Sequence, residues 1–149
     1  MIAYLDSSVL ARSYLHDEDG HHDAVALLNN PDITSVTGSW TRIEVSGALI
    51  RAARSGRGDT DEQRLLATLD ADLDACGRVA ELAAPEADVE EQTLELVRKH
   101  ALRTLDAWHV AVALLTVPAL AEPDKEEIAF ASRDDDQATV AEALGFKRL

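Results

Sequence analysis

The first fifteen residues place a carboxylate at the junction of a strand and a helix. Residues 2–5 form a short apolar run that is typical of a buried strand. Asp6 ends this run, and two serines, which favour helix starts, follow it directly. Because ligands of open parallel sheets bind beyond the carboxyl ends of the strands, Asp6 is expected to face a binding site.

Four further strand candidates alternate with helical patterns along the rest of the chain. They are residues 33–36, 78–82, 128–131 and 146–149. One helix is expected to begin at a capping box of Thr60 and Gln63, and a later helix is expected to end at Pro118. The alternation predicts a single α/β domain over residues 1–149, with a mainly parallel sheet of four to five strands covered by helices on both faces.

The chain is strongly acidic, with 28 Asp and Glu against 14 Lys and Arg and a formal net charge of −14. This charge argues against a general polyanion binder, and it fits a metal site, a basic protein partner or simple solubility. Most of the acids, Asp70 and Asp72 among them, lie on predicted helix faces, where a solvated surface is the default explanation. Only acids placed elsewhere point to a function.

Cysteine content and apolar runs indicate the compartment. The single cysteine, Cys76, cannot form an intrachain disulfide, which fits a reducing environment. The N-terminus lacks the pattern of a signal peptide, and no apolar run is long enough to span a bilayer. The sequence therefore predicts a cytoplasmic protein that does not associate with membranes.

Three further carboxylates are placed like Asp6. Glu44 lies on the helix after the second strand candidate, Asp106 begins an apolar stripe that should face the sheet, and Asp134 follows the strand at 128–131. Each acid alone has a simpler explanation. Asp6 and Asp134 could cap helices, Asp106 could favour a helix N-terminus, and Glu44 could pair with Arg51 on the surface.

Together, the four acids predict a cation site. Four carboxylates at one sheet edge would repel one another and raise their own pKa values, and a divalent cation removes that repulsion. An all-oxygen ligand set suits Mg²⁺ or Mn²⁺, whereas no spacing of cysteines and histidines supports zinc. Such a site can activate water and stabilise in-line attack at phosphorus.

Four segments carry a resemblance to a known family: YLDSS, RIEVSGAL, LRTLDAWHVAVAL and FASRD. In this order they resemble PIN-domain ribonucleases, and most of all the VapC toxins of type II toxin–antitoxin pairs. The resemblance covers essentially the whole chain, and the third segment is its most specific part. It implies a PIN-like three-layer α/β/α domain in which Asp6, Glu44, Asp106 and Asp134 bind metal.

The resemblance also implies an activity and its partners. It implies Mg²⁺-dependent cleavage of RNA, with Mn²⁺ as a substitute, inhibition by a cognate antitoxin, and assembly into a homodimer. The number of ions, one or two, and the RNA motif that is cut stay open. The alternative from another functional class is a PIN-like module that binds protein or RNA without cutting.

Several neighbouring residues have expected supporting roles. Ser132 matches a position that is often Ser or Thr in the family and is expected to support the site through its hydroxyl. Asp135 and Asp136 also follow the strand, so the identity of the fourth acid is open, and Asp134 is favoured because it comes first. His109, one turn from Asp106, is expected to be a helix-surface or packing residue.

RNA contacts are expected from arginines near the acids and from tryptophans. Arg12, Arg51 and Arg54, like Arg42 and Arg57, lie on or after the helices that follow Asp6 or bear Glu44, where they could meet phosphates or simply solubilise the protein. Trp40 and Trp108 could stack on bases or pack internally, and Trp108 is favoured because it neighbours Asp106. The connection at 118–127 resembles an insertion and has no assigned role.

Overall fold

The protein is described here by a computed structural model that covers residues 1–57, 61–123 and 125–149. The strands are β1 (Ile2–Leu5), β2 (Thr34–Gly38), β3 (Val79–Leu82), β4 (Ile128–Ala131) and β5 (Lys147–Arg148). The helices are α1 (Ser7–Tyr14), α2 (His21–Leu28), α3 (Trp40–Arg54), α4 (Glu62–Asp72), α5 (Glu86–His100), α6 (Thr104–Leu120) and α7 (Asp135–Ala143).

The strands form one sheet in the order β3-β2-β1-β4-β5, and every pairing is parallel. β1 is the central strand, where Ile2 pairs with Thr34 on one side and with Ile128 on the other. The chain runs outward from β1 through β2 to β3, and then crosses to the other side of β1 to form β4. This reversal opens a crevice beyond the carboxyl ends of β1 and β4, where ligands of such sheets bind.

Alternation along β1 divides the core into two layers, because successive side chains point to opposite faces of a strand. Tyr4 and Phe130 belong to a cluster with buried residues of α5, α6 and α7. Ala3 and Leu5 belong to a second cluster with buried residues of α1 to α4. The predicted three-layer α/β/α architecture is confirmed, and burial on both faces explains why β1 is apolar throughout.

One predicted helix start falls at the edge of the described residues, and one predicted helix end differs from the structure. α4 is capped by Asp61, whose side chain accepts a hydrogen bond from the Arg64 amide, while the expected cap Thr60 lies outside the described residues. The prediction that a helix stops at Pro118 is wrong, since α6 continues to Leu120. Proline removes only one backbone donor, and so close to the helix end this loss affects a single turn. No helix in the described ranges is long and apolar enough to cross a membrane.

Candidate active site

Asp6 occupies the turn between β1 and α1 and is only 5% exposed. Its Oδ2 atom caps α1 by accepting hydrogen bonds from the amide (3.0 Å) and the hydroxyl (2.6 Å) of Ser8. Its Oδ1 atom faces the interior of the site, 3.3 Å from the amide nitrogen of Gln137 and 3.7 Å from Nε2 of His109. Capping therefore uses one carboxylate oxygen and leaves the other directed at the site.

Asp134 occupies the equivalent turn between β4 and α7. Its Oδ1 atom accepts hydrogen bonds from the backbone amides of Asp136 and Gln137, both at 3.0 Å, so this acid also caps a helix. Asp134 is half-buried, whereas Asp135 and Asp136 are exposed and Asp135 pairs with Arg148. The position of Asp134 supports its choice as the fourth acid over its two neighbours.

Asp106 lies in the first turn of α6 and is partly buried. Burial raises the pKa of its carboxyl group, and the negative charges of Asp134 and Asp6 raise that pKa further. Asp106 therefore lies close enough to Asp134 and to Asp6 to be repelled by both. Such mutual repulsion is the electrostatic condition that a bound cation relieves.

Glu44 joins the site through His109, which is 1% exposed. Oε2 of Glu44 lies 2.6 Å from Nε2 of His109, and Nδ1 of the same ring lies 2.9 Å from the Tyr4 hydroxyl. Because an ionised carboxylate can only accept, the bond to Glu44 places a proton on Nε2, and in the neutral ring Nδ1 is then the acceptor for Tyr4. Burial and the charge of Asp6 raise the pKa of Tyr4, so its hydroxyl keeps its proton and donates it.

His109 takes the second of the two positions expected for it, the helix surface or the packed interior, and it also makes a hydrogen bond that was not expected. It is not on the helix surface but buried, in hydrogen-bond contact with a candidate metal ligand. Its spacing of three residues from Asp106, which places both on one face of α6, is the signal that could have indicated this. Glu44 is bonded to this histidine and not to Arg51, the partner that a surface acid was expected to have.

A hydrogen-bond chain through Gln137 links three parts of the site. The Ser132 hydroxyl donates to the Gln137 side-chain oxygen at 2.5 Å and accepts from the Asp134 amide at 3.0 Å. The amide nitrogen of Gln137 donates to Oδ1 of Asp6 (3.3 Å) and to the backbone oxygen of Asp106 (3.1 Å). Ser132 thus acts through Gln137, a fully buried residue that sequence reasoning missed although it lies one turn after Asp134.

The donor set matches a hard divalent cation in its chemistry. Asp6, Asp106 and Asp134 offer carboxylate oxygens only, as Mg²⁺ and Mn²⁺ prefer, and burial together with the charges of Asp134 and Asp6 raises the pKa of Asp106. Across residues 1–57, 61–123 and 125–149, however, no three His, Cys, Asp or Glu side chains are grouped so that they could hold a metal ion. The acids have the right chemistry without forming a closed coordination shell.

The candidate RNA-contacting residues are placed differently from one another. Arg54 pairs with Glu62 at 3.3 Å on the surface, while Arg12 and Arg51 line a cavity beside Ser8. The Trp108 ring lies against His109 on one side and against Trp40 on the other, with centroid distances of 5.1 and 5.6 Å. Its packing against the site histidine restricts the surface that it offers to a base.

Two other arginines in this part of the chain are engaged by acids. Arg42 pairs with Asp70 at 2.6 Å and with Glu81 at 2.8 Å. Arg57 pairs with Asp17 at 2.9 Å and with Glu18 at 2.8 Å.

The fold and the site together define a parallel α/β/α domain with an acidic cluster at the carboxyl edge of its sheet. Residues 3–143 match the family described as PIN domain, which is nearly the whole chain. The chain therefore belongs to the PIN domain family, whose members are generally nucleases. No curated protein matches the sequence.

Proposed function

We propose that the protein is a Mg²⁺-dependent endoribonuclease that acts as the toxin of a toxin–antitoxin pair. The observation that supports this most strongly is the placement of Asp6 and Asp134 at the carboxyl ends of β1 and β4, with Asp106 near enough that their charges add to the effect of its burial and raise its pKa. Membership of a family that generally consists of nucleases supports the reaction class, and the resemblance to VapC toxins supports the toxin role.

In this proposal, the ion would be held by four carboxylates, those of Asp6, Asp106 and Asp134 and that of Glu44 on α3. A bound divalent cation supplies Lewis-acid activation of water and neutralises charge at the scissile phosphate, and Mn²⁺ substitutes for Mg²⁺. Whether one or two ions act is left to experiment.

The remaining residues of the site orient the acids. Gln137 ties the side chain of Asp6 to the backbone of Asp106, so the ends of β1 and α6 keep a fixed separation. His109 holds Glu44 in one orientation, and Tyr4 holds the histidine. Partners of this kind commonly contribute to metal affinity by fixing the ligands that bind the metal.

The partners in this proposal follow from charge and exposed apolar surface. A cognate antitoxin would place a basic side chain among the uncompensated acids of a chain with a net charge of −14. Trp40 and Leu94 are large apolar residues that line one cavity and are 47% and 46% exposed, which supports a homodimer through this side of the molecule. The proposal places the protein in the cytoplasm, together with its RNA substrate.

The test is cleavage of a structured RNA pool by protein that has been freed of any copurified partner. Metal-dependent cleavage that the antitoxin suppresses is the expected result. RNA binding without cleavage, together with no stabilisation by Mg²⁺ or Mn²⁺, would favour the non-catalytic binding module. Equal cleavage rates for the free protein and the complex would contradict inhibition by the antitoxin.

A further inference from the structure

A cavity of about 420 Å³ lies beside the acidic site, between α1 and α3. Its lining includes four arginines: Arg12 of α1, Arg51 of α3, Arg57 beyond the end of α3, and Arg133 between β4 and α7. Glu18 is the acid among its lining residues. This local positive charge contrasts with the net charge of −14 of the chain.

The arginines of this cavity are only partly neutralised. Glu18 accepts hydrogen bonds from Arg57 at 2.8 Å and from Arg133 at 2.7 Å, and these pairs form one wall. Neither Arg12 nor Arg51 forms a salt bridge with any residue in the described part of the chain. Asp17 also pairs with Arg57 from outside the cavity at 2.9 Å. The charges of Glu18, Asp19 and Asp23 raise the pKa of Arg12 against the effect of its burial, so the positive charge of the lining is offset in part.

The surroundings of Arg12 are unfavourable for its positive charge. Its Nε atom is buried and has no hydrogen-bond partner among the described residues. Burial lowers the pKa of its guanidinium, and the neighbouring charge of Arg133 lowers it further. A bound anion would offset the repulsion between the two arginines.

Ser8 connects this cavity to the acidic site. Its side chain lines the cavity, and its hydroxyl donates to Oδ2 of Asp6 at 2.6 Å while accepting from the Arg133 amide at 3.2 Å. The arginines and the acids thus lie on two sides of one serine. A polyanion that places one phosphate at the acids can place a neighbouring phosphate in the cavity.

We propose that the cavity lined by Arg12, Arg51, Arg57 and Arg133 binds a non-scissile phosphate of the RNA strand and so sets the position of the cleaved bond. Guanidinium groups suit this task because their donors match the geometry of phosphate oxygens. This inference rests on the proposed nuclease function and adds a substrate-positioning site to it. Arg54, which pairs with Glu62, is outside this site.

The first test measures binding of a short single-stranded RNA in the Asp6→Asn background, over a series of salt concentrations. Arg12→Gln and Arg51→Gln are expected to weaken binding roughly tenfold each. Each lost phosphate contact should also reduce the slope of log K against log salt by about 0.7. The control Arg98→Gln removes the same charge from the exposed face of α5 and should change neither quantity.

A second test identifies which phosphate of the RNA occupies the cavity. Single methylphosphonate substitutions along the RNA remove one backbone charge at a time. One position near the cleaved bond should weaken binding to the parent protein but not to the Arg51→Gln variant. In the cleavage reaction, Arg51→Gln should raise KM and spread cleavage over neighbouring bonds, since the strand is no longer held in one position.

The outcomes separate this inference from the nuclease proposal. If the wild type binds and cleaves RNA while Arg12→Gln and Arg51→Gln behave like Arg98→Gln, the phosphate site is wrong and the nuclease proposal stands. If the arginine variants lose affinity for the antitoxin alone, the cavity receives an acidic protein segment and the inference is overturned. If the wild type neither binds nor cleaves RNA, the nuclease proposal fails, and the phosphate site fails with it.

Discussion

Nε2 of His109 lies 2.6 Å from Oε2 of Glu44, and this contact joins α6 to α3 across the carboxyl edge of the sheet. The same ring is fixed from its other side by the hydroxyl of Tyr4, a residue of the central strand. The contact couples the helix that carries Asp106 to the helix that carries Glu44. The geometry of the acidic cluster therefore depends on a residue that is not itself an acid.

Removing this contact should weaken the site without unfolding the protein. His109→Phe keeps a ring but loses the Nε2–H group that holds Glu44, so metal affinity and the cleavage rate should fall about 10–100-fold. The measurements are thermal stabilisation by Mn²⁺ and cleavage over a series of metal concentrations. Tyr4→Phe removes only the hydroxyl and should have a smaller effect. A folded His109→Phe protein with unchanged metal affinity would contradict this role.

Neutralising Asp106 should stabilise the protein when no metal is present. Burial and the charges of Asp134 and Asp6 raise the pKa of Asp106 in the folded state, so folding stability falls as pH rises from the ordinary pKa of an aspartate to that raised pKa, and it stays lower above it. Asp106→Asn removes the penalty and should raise Tm at neutral pH, with a smaller difference near the ordinary pKa of an aspartate. Thermal unfolding at several pH values measures this effect. A lower Tm for the variant at neutral pH would show that the acids do not repel.

Gly38 and Gly47 differ in how closely other parts of the protein pack against them. A Cβ at Gly38 would lie 2.7 Å from the Tyr4 hydroxyl and 2.8 Å from the Trp108 ring, so Gly38→Ala should cost about 1–3 kcal/mol and disturb the Tyr4–His109 contact. A Cβ at Gly47 meets only the flexible end of Arg51 at 3.1 Å. Gly47→Ala should therefore stabilise α3 by about 0.5–1 kcal/mol. Chemical denaturation of both variants measures the contrast, and equal effects would contradict it.

Asp72 and Asp70 test the difference between a buried and an exposed acid on the same helix. Asp72 accepts hydrogen bonds from Tyr14 at 2.8 Å and from Nε of Arg78 at 2.7 Å. Asp72→Asn should lower stability by about 1.5–3 kcal/mol, since it removes a charged acceptor from buried bonds. Asp70 pairs with Arg42 in solvent, so Asp70→Asn should change stability by less than about 0.5 kcal/mol. Unfolding free energies measured in urea would contradict this account if the two variants were equivalent.

The sequence predicted those features of the fold that depend on local pattern. The apolar run 2–5 and the alternation of strands with helices predicted the parallel sheet, and the residues that follow strands placed Asp6 and Asp134 at its carboxyl edge. Local pattern does not encode the rotation of one helix against another. The contact of Glu44 with His109 spans 65 residues and was therefore missed.

The burial of Asp72 is a second feature that local sequence pattern did not predict. The solvated surface expected for it is wrong, because Tyr14, which lies 58 residues away, and Arg78 cover it. A carboxylate in the last turn of a helix is repelled by the negative end of the helix dipole, so on local grounds it is expected to stay in contact with solvent. Only the tertiary structure supplies the donors that make its burial favourable. The burial of Gln137 against Asp6 has the same origin.

Two substitutions that leave the helix cap in place test which acid of the turn between β4 and α7 binds the metal. Asp134→Asn keeps a cap for α7 and should reduce metal-dependent cleavage at least 10-fold, as loss of a site group does. Asp136→Asn changes an exposed carboxylate and should leave cleavage near the wild-type rate. The reverse order of effects would assign the metal to Asp136.

The central claim is that the acids at the carboxyl edge carry metal-dependent RNA cleavage. The most direct measurement compares the wild type with Asp6→Asn, which keeps the cap of α1, on one RNA pool with Mg²⁺, Mn²⁺ or EDTA. The account predicts cleavage by the wild type in both metals, none in EDTA, and none by Asp6→Asn under any condition. Cleavage by Asp6→Asn at the wild-type rate, or wild-type cleavage that persists in EDTA, would contradict the account.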